Sequence, residues 1–145
     1  MVKSRIKVVL DTNVLVSAIV FGGIPKKVLN LILKEKLIGV TSVSLMAELS
    51  EVVHKKFPFR KSDLEYLEEQ IITDFEIIKP RKVLRVARDD DDNRVLEAAV
   101  EGNCGYIVTG DEDLLVLKKY KTIKILTPTK FLEEMNLDQK TENGI

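Results

Sequence analysis

One cysteine, one histidine and no tryptophan stand in this chain of 145 residues. A lone thiol builds no disulfide framework, and Cys104 with His54 gives too few soft ligands for a zinc site of the usual kind. Aromatics make up only 6%, so a broad base-stacking platform is not expected. Neither sign of charge dominates: 23 basic residues balance 23 acidic ones, and any contact with a polyanion must use local charge. No apolar run approaches the roughly 18 residues of a membrane span. Residues 1 to 5 are too short and polar to open a signal peptide, so a cytoplasmic protein is expected.

What is present reads as one domain, long enough to bury a core without staples. Short runs rich in Val and Ile alternate with longer stretches of helical period, which favours an α/β fold with a largely parallel sheet. Strands are expected at Ile6 to Leu10, Ile38 to Thr41, Tyr106 to Thr109 and Thr122 to Leu126. Helices are expected at about 13 to 20, 25 to 36, 43 to 56, 62 to 75, 92 to 101, 111 to 118 and 128 to 135. Ser62 with Glu65 suggests a capping box, Thr127 before Pro128 a cap with proline at the first helical position, and Gly22-Gly23 with Pro25 a break between the first two helices. No repeat or dividing linker is visible, and residues 136 to 145 read as a frayed tail.

In IKVVLDTNVLVSAIVFGG, residues 6 to 23, an apolar strand runs straight into Asp11, Thr12 and Asn13. The pattern recurs. YIVTGDEDLL, residues 106 to 115, brings a second Val/Ile run to Asp111 where a helix should start. ARDDDDNRVLEAAV, residues 87 to 100, sets Asp89 to Asp92 immediately before a helix whose apolar face is Val95, Leu96, Ala99 and Val100. In a parallel sheet the carboxyl ends of the strands, and the helix starts that follow them, converge on one rim, so three acidic patches would share one cleft. A fourth candidate lies inside a helix, in TSVSLMAELSEVV. At about 100° per residue, Glu48 falls on the edge of the apolar stripe of Leu45, Leu49, Val52 and Val53, while Glu51 points to water.

Carboxylates a few ångströms apart raise one another's pKa and cost stability unless a cation neutralises them. Magnesium and manganese prefer oxygen ligands and keep open positions for a phosphate oxygen and a water, so phosphodiester hydrolysis is the natural chemistry of such a cluster. Each acid also has a plainer explanation. Asp111 and Asp11 could merely cap helices, the run Asp89 to Asp92 could be a solvated turn, and Glu48 could be a surface residue. His54 reads most simply as a surface residue and Cys104 as a small apolar residue beside a turn. Order and spacing together favour function over these plainer roles.

That order resembles the PIN-domain family of metal-dependent nucleases, and specifically the toxin components of prokaryotic toxin–antitoxin pairs. The carriers are VVLDTNVLVSA, the helical Glu in SLMAELSEVV, DDNRVLEAAV and YIVTGDEDLL, in that sequence, spanning residues 6 to about 131. By position, Asp11, Glu48, Asp92 and Asp111 match the family's four acidic residues, taken here as catalytic and metal-binding, and Asp113 falls where some members have an additional metal-binding acid. Within the aspartate run Asp92 is chosen because NRVLEAA follows it, with Asp91 the alternative. Thr12 and Asn13 match polar residues expected to hydrogen-bond beside the first acid.

The resemblance implies a three-layer α/β/α sandwich with a central, mostly parallel sheet over residues 1 to 135, magnesium or manganese as cofactor, and RNA as substrate. It further implies a homodimer and a cognate antitoxin protein as partner. Basic clusters at Lys26-Lys27, Lys55 to Lys61 and Arg81 to Arg88 could contact phosphates. Two other classes fit less well. A haloacid dehalogenase-type phosphatase needs a second acid two residues after the first, where this chain has Asn13, and non-catalytic PIN-like binding modules have usually lost acids that are all present here.

Overall fold

The computed structural model describes residues 5–56 and 60–142. Strand β1 (Lys7–Leu10) leads into helices α1 (Thr12–Val20) and α2 (Gly23–Leu33), then β2 (Ile38–Ser42), α3 (Val43–Lys56), α4 (Lys61–Asp74) and β3 (Phe75–Ile78). An irregular segment follows, then α5 (Asp90–Glu101), β4 (Tyr106–Val108), α6 (Glu112–Leu115), β5 (Lys119–Tyr120), β6 (Ile123–Leu126) and α7 (Pro128–Glu142). The six strands form one sheet in the order β3-β2-β1-β4-β6-β5. All neighbours pair in parallel except β5 with β6.

Alternation along the strands divides the core in two. Val8 and Leu10 of β1 face one cluster with Val14, Val28, Leu49, Ile71 and Phe131, which brings α1, α2, α3, α4 and α7 to that side. Val9 and Ile107 face the other cluster with Val95, Leu96, Ala99 and Leu114 of α5 and α6. Both faces of the sheet are thus covered, as a parallel sheet requires, and the result is the expected α/β/α sandwich.

Several local expectations are corrected. Strand β3 lies where a helix was drawn to residue 75: α4 stops at Asp74, and Phe75 turns extended to pair with Gly39 of β2. A β-carbon at Gly39 would meet the Phe75 ring at 2.6 Å and Ile32 at 2.9 Å, so the glycine makes room for that edge strand. The Ser62–Glu65 capping box does not form, because α4 begins earlier, behind Arg60, without a side-chain cap. Helix α6 ends at Leu115 instead of 118: Lys118 takes a left-handed φ of 61° and turns the chain into the short β5–β6 hairpin. Helix α5 starts at Asp90, not 92, and α7 runs past Met135 to Glu142, so residues 136 to 142 of the expected tail are helical. The Thr127 cap is present, its Oγ1 accepting from Lys130 N at 3.2 Å, and α1 and α2 meet at 102° across Gly22, whose φ is 73°. Among the described residues no single helix is long and apolar enough to cross a membrane.

Candidate metal centre at the carboxyl rim of the sheet

From β1 the chain moves outward to β2 and β3 on one side, while β4 and β6 lie on the other, so the order of strands reverses between β1 and β4. A crevice opens at the carboxyl ends of two strands placed this way. Asp11 directly follows β1, and Thr109 and Asp111 follow β4. The ladder continues into the rim, with Asp11 N donating to the Val108 carbonyl at 2.9 Å.

Asp11 is buried, and its carboxylate does not cap α1. Its Oδ2 instead accepts from Thr109 Oγ1 at 2.6 Å. Thr109 is fully buried, and the same hydroxyl accepts from Asp111 N at 3.0 Å, so one side chain ties the ends of both strands together. Burial pushes the Asp11 carboxyl up; the bonds from Thr109 and from the Thr12 backbone oppose this, and the charges of Asp111 and Asp91 add to it. Thr12 Oγ1 donates to Glu48 Oε2 at 3.3 Å, joining α3 to the start of α1. Glu48 is half-buried and pushed up to about 7, first by burial and then by the charges of Asp91 and Asp11. Glu51 remains exposed and pairs with Lys55 at 2.7 Å, and Asn13 is exposed.

The aspartate run forms the first turn of α5 and not the loop before it. Asp89 is the cap, its Oδ1 accepting from Asp91 N at 3.0 Å, and the helix dipole favours the three carboxylates that follow. Asp92 is turned inward and only 5% exposed. Its Oδ2 is buried with no hydrogen-bond partner among the described residues, and the group is pushed up to about 7, first by burial and then by Asp111 and Asp11. One carboxylate oxygen from each of Asp92, Asp111 and Asp113 lies within 4.8 Å of the others. Asp111 does cap α6, through Oδ1 to Asp113 N at 2.8 Å, while Asp113 is exposed.

Residues far apart in the chain therefore meet on one rim. Asp92, Asp111 and Asp113 form a close trio, Asp11 stands within reach of its charge, and Glu48 joins through the charge of Asp11 and the Thr12 hydroxyl. Asp91 is exposed, yet its charge bears on both Asp11 and Glu48, whereas Asp92 answers to Asp111, Asp11 and Asp113. Every charged group that shifts Glu48 and Asp92 is a carboxylate. A buried unpartnered oxygen within a set of hard oxygen donors suits a divalent cation of the magnesium or manganese type. Thr109 was missed in the sequence; the signal was its hydroxyl in VTGD, at a strand's end and two residues before an acid.

Known proteins share this architecture. VapBC2 from Rickettsia felis, solved bound to a DNA fragment from their promoter, is similar over 83% of this chain and 97% of that one, with a TM-score of 0.59 and 19% identity. FitAcB from Neisseria gonorrhoeae is similar over the same shares, with a TM-score of 0.51 and 15% identity. In sequence, the uncharacterized protein MJ1680 of Methanocaldococcus jannaschii is 39% identical over 152 aligned positions, covering 92% of this chain and 94% of that protein. The PIN domain family model matches residues 7–113, from the first residue of β1 through all five acids of the rim, and the chain belongs to the PIN domain family.

Proposed function

We propose that the protein is a ribonuclease that hydrolyses phosphodiester bonds with magnesium or manganese, and that it is the toxin of a toxin–antitoxin pair. Family membership and the acid cluster support nuclease activity in general. The observation that carries the finer reading is the unpartnered, buried Asp92 oxygen beside Asp111 and Asp113 at the β1/β4 switch.

Asp92, Asp111 and Asp113, with Asp11 and Glu48 beside them, would hold the ion. A bound dication offsets charge at the phosphate and lowers the pKa of water. The chain's own groups do the rest. Thr109 fixes the Asp11 carboxylate and the start of α6 in one orientation, and Thr12 fixes Glu48. Glu48 and Asp92, both at about 7, hold protons near neutrality that they would release on taking up a cation.

The toxin reading draws on the solved neighbours and on an apolar groove of about 370 Å³ between α1, α2 and α4, lined by Leu15, Ile19, Leu29, Leu33 and Leu67. Such a groove suits the apolar face of a partner helix, and an arginine from that partner could pair with the rim carboxylates. A homodimer and a cytoplasmic location complete the reading. Incubation of the purified protein with labelled single-stranded RNA tests it. Cleavage with manganese or magnesium and none with chelator is expected, and no cleavage in any metal would overturn the enzyme. Co-purification with the product of the neighbouring gene tests the partner.

A further inference from the structure

Between β3 and α5 the segment 79–89 has no sheet neighbour, yet α5 holds its backbone. Asn93, 1% exposed, accepts through Oδ1 from Val86 N at 3.0 Å and Ala87 N at 2.7 Å, and donates through Nδ2 to the Ala87 carbonyl at 3.2 Å. One turn on, buried Glu97 accepts from Leu84 N at 2.8 Å. Leu84 and Ala87 pack onto the core beside α5. With these amides and side chains committed inward, Lys82, Arg85 and Arg88 are left exposed, and among the described residues none of the three forms an ion pair.

We propose that this strap, through Lys82, Arg85 and Arg88, is a phosphate-binding track that seats the RNA backbone beside the acid rim. The inference rests on the ribonuclease reading and names which surface takes the substrate. Three features separate the strap from an ordinary solvated charge run. Both its ends lie on the rim, one at the carboxyl end of β3 and the other at the Asp89 cap of α5. Its conformation is fixed by buried groups on the very helix that carries Asp92, and Asn93 Nδ2 also reaches Asp90 Oδ1 at 3.4 Å, so cations and acids share one frame. Its length, at most about 20 Å from Lys82 to Arg88, can run beside several nucleotides. An acid cluster repels a polyanion, and cations on the strap offset that repulsion along the backbone while standing outside the set of charges that shift Asp11, Glu48 and Asp92.

Of the other basic clusters, Lys55 is paired with Glu51 and Lys26 lies at the apolar groove of α1, α2 and α4, while residues 57–59 within the Lys55 to Lys61 cluster lie outside the described residues.

The test is the binding of a fluorescent single-stranded RNA, measured by anisotropy across a salt series, with magnesium present and Asp11→Asn as the common background so that the RNA stays intact. Arg85→Gln with Arg88→Gln should make the slope of log K against log salt shallower by about 1.4, two contacts at roughly 0.7 each for a single strand. Lys26→Gln with Lys27→Gln should leave the slope unchanged. If the Arg85/Arg88 variant keeps the starting slope while that starting protein binds, the strap is overturned and the nuclease reading stands. If the starting protein shows no salt-dependent binding, both fall.

Discussion

Asp92 and Asp89 show how neighbouring aspartates acquire different roles from backbone geometry. Asp89 satisfies an amide at the start of α5, a task that asparagine performs equally well, whereas Asp92 is buried with an oxygen that none of the described residues satisfies. Asp92→Asn should therefore lower metal-dependent RNA cleavage by orders of magnitude, while Asp89→Asn and Asp90→Asn leave it within a few-fold. Similar losses at all three, in a single-turnover assay, would point to diffuse electrostatics and not to a ligand. Thr109 makes a second prediction. Thr109→Val keeps the shape but removes the donor to Asp11 and the acceptor for Asp111 N. Loss of such an outer partner should weaken manganese binding by roughly 10- to 100-fold in a calorimetric titration. An unchanged affinity would show that the hydroxyl does not orient the rim.

At the scale of elements, Gly39 marks where β2 accepts β3 and α2 at close range. Gly39→Ala should lower stability by roughly 1–3 kcal/mol through overpacking, seen as a lower melting temperature, with RNA cleavage retained below the transition. A melting temperature equal to the parent's would mean that Phe75 and Ile32 move aside freely. The same element explains where the sequence could be followed and where it could not. The central strands β1, β2 and β4 are buried on both faces and β6 exposes only Lys124 between two buried isoleucines, so their apolar runs stand out before any contact is known. Strand β3 is an edge: Phe75 to Ile78 follows Asp74 without a glycine or proline, and only pairing with Gly39 to Ser42 makes it extended. The acids were legible because each sits at a strand end or helix start. The burial of Asp92 beside exposed Asp91, the Thr109 hydroxyl shared by two acids, and the grip of Asn93 on the strap depend on contacts between segments and leave no local period to read.

Taken as a whole molecule, the protein concentrates its electrostatic cost at one edge of a well-packed sandwich. Glu48 and Asp92 stand at about 7 in the folded chain against ordinary values of 4.5 and 3.8. Without metal the folded state holds more protons than the unfolded chain between those limits, so these groups stabilise the fold fully below about pH 4 and lose that contribution as pH rises to about 7. Other carboxylates act on stability in the same range, so the prediction is a difference: the metal-free Glu48→Gln variant should lose less stability than the parent between pH 5 and 8. An identical pH slope in denaturant titrations would contradict the raised carboxyl. A cation that displaces those protons should act in the opposite sense, stabilising more at pH 8 than at pH 5.

Manganese-dependent melting and manganese-dependent RNA cleavage, followed together in the parent and in Asp11→Asn, bear most directly on the acid rim. Asp11 is buried and bonded to Thr109, the charge of Asp111 bears on it and its own bears on Asp92, and asparagine alters its charge with little change in volume. The parent should melt at higher temperature as manganese is added and should cut RNA over the same range of concentration. Asp11→Asn should fold, show a weakened manganese shift and cut slower by orders of magnitude. A variant that cuts as fast as the parent, or a parent whose melting is indifferent to millimolar manganese, would contradict a metal centre at this rim.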